Sequence, residues 1–382
     1  MRKIDIMEHL YAVVDYGSSA LKVVYSRELN DTPKYFTMQP EIIEVSADAV
    51  KGYRKNFSSD PARHAFVGTN DRYYAVGELA QDVFRSTLNL TEPKSNNAIG
   101  RTLAAITVAA QLAQINVSKK FRLFLSCLLP AGELVDRDIL EDNLREAFKN
   151  FDTPMGGLQV NLKYFNCHPE GGGLAVFYEE HCDLADRQLG VIMMGHRNSS
   201  CFVVQNSIYR RLRSTDLGFA TVVNDIQLAT SAYKDKTITA GVATYLLSNG
   251  QDKTPLVKML MRNNPTAREQ ELDNLLKAID ISKGKFWNSF VQWLAIQLPL
   301  DEVVFGGGVA ELFKIEMLDY LSGKLPNLPN KNCPAIYLHG GLEYPDNTLI
   351  PTDLQARFAD VQCLWEKDIL PVAKSYWDNV KK

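Results

Sequence analysis

A loop with phosphate-binding chemistry begins at Asp15, where an apolar run from Ala12 to Val14 ends. The next seven residues include Gly17, two serines and Lys22. Small residues at a hairpin tip let backbone N–H groups approach phosphate oxygens, serine hydroxyls add donors, and a lysine adds a point charge. A carboxylate that ends a buried strand is costly unless a group such as hydrated Mg²⁺ relieves it. An ordinary tight turn with an incidental lysine is the alternative.

Two further turns offer related chemistry. Gly195 opens a polar turn that runs to Ser199 between two apolar segments, and an ordinary hairpin turn is its alternative. Gly306, Gly307 and Gly308 follow an apolar run and precede a helical pattern. Such a triplet lets a flat ring lie against the backbone, and a helix N-terminus favours phosphate, with close strand–helix packing as the alternative. The sequence contains neither a Walker A pattern nor G-x-G-x-x-G after a strand, which argues against P-loop and Rossmann sites.

The elements around these loops repeat. The runs before Asp15 and from Leu21 to Ser26 predict a hairpin, and Leu189 to Met194 with Ser200 to Ile208 predict another. This repeated layout of strand, Gly/Ser turn and strand predicts an internal duplication. Strands alternate with helical patterns in both halves, which predicts an α/β architecture with two similar domains.

Further helices and strands are predicted from local patterns in the sequence. Ile99 to Ile115 has helical spacing, and Phe121 to Leu129 is typical of a buried strand. Leu174 to Tyr178 is predicted to be a strand. A capping box that begins at Thr266 predicts a long helix that ends near residue 298 and breaks near Gly284.

Composition limits the class of protein. The chain has 382 residues, of which 46% are hydrophobic and 23% charged, as in soluble globular proteins with room for two domains. A net charge of -3 does not favour direct, sequence-blind DNA binding. We expect no membrane span and a cytoplasmic location. Two Cys/His pairs, at 167–168 and 181–182, contain residue types that bind zinc. Adjacent residues on a strand point to opposite faces, however, which argues against a zinc site there.

The three loops, taken together and in this order, resemble the actin/hexokinase/Hsp70 superfamily, and within it the bacterial ParM/StbA family. Asp15 to Lys22 looks like the first phosphate loop, the Gly195 turn occupies the place of the second, and Gly306 to Gly308 looks like the adenosine motif. Partial matches extend over nearly the whole chain, and they are Leu128 to Glu133, Ser214 to Gly218 and Phe358 to Val361.

This resemblance implies two actin-like (ribonuclease H-like) domains, each with a mixed five-stranded sheet flanked by helices, and a nucleotide cleft between them. Domain I is expected to comprise residues 1–188 and 350–382, and domain II residues 189–349. The implied cofactors are ATP, or GTP, and Mg²⁺.

The resemblance also assigns roles to residues. Asp15 is the expected metal ligand, and Glu133 is the catalytic candidate that orients or activates the attacking water, with a plain surface glutamate as the alternative. The expected nucleotide-binding residues are Asp15, Gly17, Ser18, Ser19, Lys22, Gly195, His196, Arg197, Asn198, Gly218, Gly306, Gly307 and Gly308.

One departure from the family pattern concerns the second loop. The family's loop begins with Asp, whereas Met193 stands at that position, and His196 and Arg197 replace glycines. The missing carboxylate normally helps to hold the magnesium waters and the attacking water. Arg197 could contact a terminal phosphate or point into solvent, and alternatively the two bulky side chains could fill part of the phosphate site and slow hydrolysis.

The implied function is a filament that polymerises on binding ATP and Mg²⁺, with plasmid DNA segregated through a separate DNA-binding adaptor protein. ATP hydrolysis would be coupled to filament turnover, and no direct nucleic-acid or membrane contact is expected. Two alternatives remain within the superfamily. One is a small-molecule kinase, and the other is a nucleotide-binding scaffold with little hydrolysis.

Overall fold

Two compact units make up the protein in a computed structural model that describes residues 7–87, 92–181, 187–230, 233, 235–326 and 336–380. Unit 1 comprises residues 1–183 and 339–382, and unit 2 comprises residues 184–338. Within the described ranges, no helix combines the length and the apolar character needed to cross a bilayer.

The central sheet of unit 1 has the strand order β10-β7-β1-β2-β3. Its strands are β1 His9–Asp15, β2 Leu21–Ser26, β3 Lys34–Met38, β7 Phe121–Leu129 and β10 Val160–Pro169. The first three strands pair antiparallel, whereas β1, β7 and β10 run parallel. Strands β1 and β7 are buried along nearly their whole length, as expected for central strands of a sheet with helices on both faces.

A second, antiparallel sheet belongs to the same unit and has the order β4-β6-β5-β8-β9. Its strands are β4 Ile42–Val45, β5 Phe66–Thr69, β6 Arg72–Val76, β8 Phe151–Thr153 and β9 Gly156–Leu158. The α-helices of unit 1 are α1 Ala47–Lys51, α2 Arg54–Phe57, α3 Lys94–Leu112, α4 Arg137–Ala147, α5 Gly172–His181, α11 Thr352–Leu364 and α12 Leu370–Val380. Short 3₁₀ or π turns are Leu79–Val83, Ala131–Asp136, His339–Gly341 and Trp365–Ile369.

Unit 2 is built on one five-stranded sheet with the order β13-β12-β11-β14-β15. Its strands are β11 Leu189–Met194, β12 Ser199–Gln205, β13 Ile208–Thr215, β14 Glu302–Gly306 and β15 Ile336–Leu338. Its helices are α6 Phe219–Thr230, α7 Asp235–Leu247, α8 Thr254–Val257, α9 Pro265–Ala295 and α10 Lys314–Ser322, with a 3₁₀ turn at Ala310–Phe313. An apolar core joins this sheet to its helices through residues such as Ile192, Phe290 and Phe305.

The two central sheets share one topology. In each, an antiparallel hairpin and a third antiparallel strand lie on one side, and two parallel strands follow on the other. The predicted α/β class and the predicted repeat of the hairpin unit are therefore confirmed. Because β1 and β11 occupy the same place in their sheets, the turns after Asp15 and Met194 are equivalent.

Some predicted elements were wrong. Leu174 to Tyr178 lies within α5 and is helical rather than extended. Helix α9 runs through Gly284 without a break, and a Cβ at that position would meet no atom within 4 Å. Its N-cap is Asn264, whose Oδ1 accepts a hydrogen bond from Ala267 N at 3.2 Å, so the predicted capping box at Thr266 does not begin the helix.

Candidate functional site

The first loop joins β1 to β2 in a tight turn. Asp15 and Lys22 face each other at the last paired position of the two strands. A Cβ on Gly17 would lie 2.5 Å from Ala20 O, so the turn leaves no space for a side chain there. Tyr16 anchors the same turn, because its buried hydroxyl lies 2.6 Å from Thr102 Oγ1 on α3.

Asp15 and Lys22 form an ion pair in which Lys22 Nζ donates to Asp15 Oδ2. Their side chains are only 11% and 12% exposed. Removing a charge from water costs several kcal/mol per ion, and the attraction between the two ions offsets a cost of this size. Neither group is therefore a free charge in this arrangement. To hold a cation through Asp15 and a phosphate through Lys22, this pair has to open.

Magnesium chemistry fits the donor set at Asp15. The ion prefers oxygen ligands, keeps several waters, and is commonly held by one or two carboxylates together with substrate phosphates. Among the residues that the structure describes, no group of three His, Cys, Asp or Glu side chains is placed to hold a metal, although Cys182 of the predicted Cys/His pairs lies outside those residues. Asp15 would therefore hold the ion with help from water and phosphate rather than from a protein cage.

Helix α11 brings two charged side chains to this loop. Arg357 Nη2 donates to Ser19 Oγ at 3.1 Å. One turn further along, the buried Asp360 accepts N–H donors from Gly171 at 2.6 Å and Gly173 at 2.8 Å. Asp360 thereby caps the start of α5, and a Cβ on Gly173 would lie 2.2 Å from the Asp360 carbonyl oxygen.

The electrostatics of Asp360 depend on its burial. Burial raises the pKa of its carboxyl to about 7, and repulsion from the charge of Asp15 acts in the same direction. The backbone donors of Gly171, Leu174 and Gly173 oppose this shift. A carboxyl with this pKa changes its charge near neutral pH, next to a loop that we expect to bind an anion.

Glu133 lies in the 3₁₀ turn that follows β7. Its Oε2 accepts the backbone N–H of Ser95 at 2.9 Å, and it therefore stabilises the first turn of α3. Lys94, also in that turn, pairs with Glu170, and their side chains are 6% and 13% exposed. Because β1, β7 and β10 are parallel, Asp15, Glu133 and Glu170 all follow strand ends at one edge of the sheet.

The second loop is closed by its own backbone. Gly195 N donates to Asn198 O at 2.9 Å, and the Asn198 side chain is buried. Ser199, at the start of β12, donates from Oγ to Leu217 O at 2.6 Å. This bond ties the loop to the segment that leads into α6.

Gly218 and the second loop are in direct contact. A Cβ on Gly218 would lie 2.3 Å from the carbonyl carbon of Arg197. Phe219 N donates to Gly195 O at 3.2 Å, and Ala220 N donates to His196 O at 2.8 Å. The first N–H groups of α6 therefore bind loop carbonyls, so the loop and helix form one rigid corner.

Met193 lies at the position where the resemblance predicts a carboxylate. It pairs with Ser200 on β12 and with Gly306 on β14. The His196 and Arg197 side chains are half-buried in the turn that follows. The region near Met193 thus presents a thioether where the family pattern has a negative charge.

The glycine triplet packs against the end of β11. Gly307 has a φ of 96°, and a Cβ there would lie 2.5 Å from Met194 O. The same carbonyl accepts the N–H of Val309 at 3.2 Å. Gly306 ends β14 in a buried position, whereas Gly308 is exposed. Glycine at 307 is needed for the close approach, and exposure to solvent increases along the triplet from Gly306 to Gly308.

The predicted site residues therefore fall into two groups. In unit 1, the structure brings together the Asp15 loop and Lys22, and places Glu133 after β7 at the same sheet edge. In unit 2, it brings together the loops at Gly195, Gly218 and Gly306. Their roles in binding a nucleotide stay predictions.

Sequence reasoning missed Arg357, Asp360 and the buried pair of Lys94 and Glu170. The partners of these residues lie 76 to 338 positions away in the chain, so no local pattern identifies them. One signal was present: Asp360 is the only charged residue in the otherwise uncharged run from Phe358 to Trp365.

Comparison with known proteins places the fold. No family model matches the chain, and no curated protein does. Solved structures do: a 15-stranded ParM filament from Clostridium botulinum aligns with a TM-score of 0.58 at 14% identity, covering 94% of this chain and 99% of that one. Bacillus thuringiensis ParM with ATP gives 0.53 at 14% identity, covering 94% and 99%. The Alp12 filament gives 0.53 at 15% identity, covering 97% and 99%. The chain has the ParM-like, actin-like fold.

Proposed function

We propose that this chain is an actin-like protein that binds ATP, or GTP, together with Mg²⁺ and polymerises into filaments. The observation that carries the proposal is the likeness, over 94–97% of the chain, to structures of a ParM filament and of the Alp12 filament. The likeness extends over nearly all of each chain, which supports a subunit of the same overall architecture. We place the protein in the cytoplasm.

Nucleotide binding is supported by the two loop groups. Bacillus thuringiensis ParM is known with ATP, with AMPPNP and with ADP. In this chain, the turn after Asp15 is tight at Gly17 and carries Ser18 and Ser19, whose hydroxyls and backbone N–H groups are the donors that we propose for phosphate. The Gly306–Gly308 triplet supplies a surface without side chains for a flat base.

Hydrolysis has weaker support than binding. Glu133 remains the candidate for activating water, yet its carboxylate already accepts the Ser95 N–H. Met193 cannot position a water through a negative charge. This favours, as the second candidate function, a scaffold that binds nucleotide and hydrolyses it slowly. A small-molecule kinase remains the other alternative, for which no substrate-specific residue is identified.

Segregation of plasmid DNA through an adaptor is the role that we propose for the filament. A net charge of -3 agrees with a protein that reaches DNA through a partner rather than directly. The exposed edge strand β13 carries Arg210, Arg211 and Arg213 and gives one basic surface for contact with an acidic neighbour.

Sedimentation tests the proposal. The purified chain is incubated with Mg²⁺ and ATP, GTP, ADP or no nucleotide over a range of salt concentrations, and pellets are inspected by electron microscopy. We expect pelletable filaments with a triphosphate and few without it. Phosphate release measured in the same samples separates filament turnover from a scaffold with little hydrolysis. Absence of filaments under every condition, with nucleotide bound, would rule out the filament and leave the scaffold or the kinase.

A further inference from the structure

Arg357 connects helix α11 to the first loop. Its guanidinium donates to the Ser19 hydroxyl at 3.1 Å, across 338 positions of the chain. The side chain is half-buried beside the loop, and it feels the negative charges of Asp15 and Asp353. A long-range contact of this kind fixes the guanidinium at the loop rather than leaving it in solvent.

The two positively charged side chains at this loop, Lys22 and Arg357, differ in whether a carboxylate pairs with them. Lys22 is neutralised by its buried ion pair with Asp15. Arg357, by contrast, forms no ion pair with any carboxylate among the described residues, and its one hydrogen bond is to Ser19. Burial lowers the pKa of Arg357, but an arginine keeps its proton in proteins, so a permanent charge with spare N–H donors lies here. Such a group is stabilised by an anion.

We infer that Arg357 binds a phosphate group of a nucleoside di- or triphosphate held at the Asp15 loop. The inference rests on the proposed nucleotide-binding function and adds to it a residue outside all three glycine loops. A planar guanidinium presents paired donors that match phosphate oxygens, and this geometry distinguishes it from the point charge of Lys22. Ser19 holds one edge of the fork and leaves other donors for the ligand.

A role limited to positioning the loop has a different signature. If Arg357 acted only through Ser19, Arg357→Gln would have no further effect once the Ser19 hydroxyl has been removed. If Arg357 contacts phosphate, its removal affects ligands with phosphates and spares adenosine. The comparison of variants and of ligands therefore separates the two roles.

The experiment measures binding of ATP, ADP and adenosine by isothermal calorimetry, with Mg²⁺ present, for the full chain. The variants are Arg357→Gln, Arg357→Lys, Ser19→Ala, the double variant Ser19→Ala/Arg357→Gln and the control Arg145→Ala. Arg145 is half-exposed in the same unit and pairs with Glu141, away from the three loops in the chain. Circular dichroism and thermal melting confirm that each variant folds before it is compared.

We expect Arg357→Gln to weaken ATP and ADP binding by about 10- to 100-fold, the size of a lost hydrogen bond to a charged group. Adenosine binding should stay at the wild-type level, Arg357→Lys should restore part of the loss, and Arg145→Ala should change affinity by less than about threefold. Arg357→Gln should weaken ATP binding by a similar factor when it is added to Ser19→Ala. Wild-type affinity for ATP in a folded Arg357→Gln variant overturns the inference alone, and so does a double variant that binds ATP no more weakly than Ser19→Ala. A wild-type chain that binds no nucleotide refutes the proposed function and, with it, the inference.

Discussion

Lys22 and Asp15 face each other across the last paired position of the β1–β2 hairpin, and their side chains form a nearly buried ion pair. In this arrangement, each charged group is neutralised by the other, so neither Asp15 nor Lys22 is available to a ligand. A ligand that brings a cation to Asp15 and an anion to Lys22 replaces one pair by two. Binding of nucleotide and of Mg²⁺ should consequently depend on each other.

Replacing Asp15 by Ala tests this coupling. We expect the variant to bind ATP in Mg²⁺ roughly 10- to 100-fold more weakly than wild type, as for a lost contact to a charged group, and to lose the difference between Mg²⁺ and EDTA. Calorimetric titrations under both conditions measure the effect.

Asp15→Ala also leaves Lys22 buried without its partner, which lowers stability for a separate reason. The double variant Asp15→Ala/Lys22→Met removes both charges and serves as the control. We expect it to regain unfolding stability and to remain defective in Mg²⁺-dependent binding. Normal Mg²⁺-dependent binding by either variant would remove Asp15 as the metal ligand.

Gly307→Ala should destabilise the protein by roughly 2–4 kcal/mol, because it combines an unfavourable backbone region with a clash. The φ of Gly307 is 96°, and its new Cβ would lie 2.5 Å from Met194 O. Gly284→Ala is the matched control, since its Cβ would meet open space within α9. It should stabilise the helix by about 0.5–1 kcal/mol. Urea unfolding midpoints compare the two, and equal midpoints would contradict the described packing of the triplet.

The buried carboxyl of Asp360 should make the stability of the folded protein depend on pH. Its folded pKa is about 7, whereas an aspartate in an unfolded chain has a pKa near 3.9. Between these pH values, the folded protein therefore binds more protons than the unfolded chain. The stability that Asp360 contributes is present at low pH and is lost as the pH rises to about 7. The contribution of Asp360 to the free energy of unfolding should fall by about 1.3 kcal/mol per pH unit midway between the two pKa values.

Asp360→Asn removes this proton and should remove the slope, even though it lowers stability at every pH through its altered contacts with Gly171 and Gly173. Unfolding midpoints between pH 4 and pH 8 give the difference between the two proteins at each pH. The control is Gln355→Ala on the same helix, which removes no titratable group and should run parallel to wild type. Parallel curves for Asp360→Asn would show that Asp360 does not titrate in this range.

Met193→Asp introduces the carboxylate that the second loop lacks. If the altered loop limits hydrolysis, phosphate release per bound ATP should rise at least about tenfold, as for a group that assists proton transfer. Met193→Asn has a similar shape without charge and should leave the rate unchanged. A malachite-green assay at saturating ATP measures this, and equal rates for the Asp and Asn variants would show that the missing charge is not what limits hydrolysis.

The repeated hairpins and the glycine loops could be predicted from the sequence because their signals are local. A turn between two apolar runs, as at Gly17 or Gly195, is decided by neighbours within ten residues, and the strand pairing confirmed it. The α/β class followed from the alternation of strands and helices. What these signals could not supply was the identity of distant partners.

Helix α5 shows the physical reason for one error. The segment from Leu174 to Tyr178 is apolar and short, which fits a buried strand as well as a helix. Its helical start is fixed by Asp360, which accepts N–H groups of Gly173 and Leu174 from 186 or more positions away. Arg357 escaped notice for the same reason, because only the folded chain brings it to Ser19.

The shared topology of the two sheets places two equivalent hairpin turns in one chain. The turn at Asp15 carries a paired acidic and basic group, whereas the equivalent turn at Gly195 follows Met193 and has its carbonyls bound by α6. The position of a turn in its sheet therefore does not fix its chemistry, and exchanging the two turns between the halves should not be neutral.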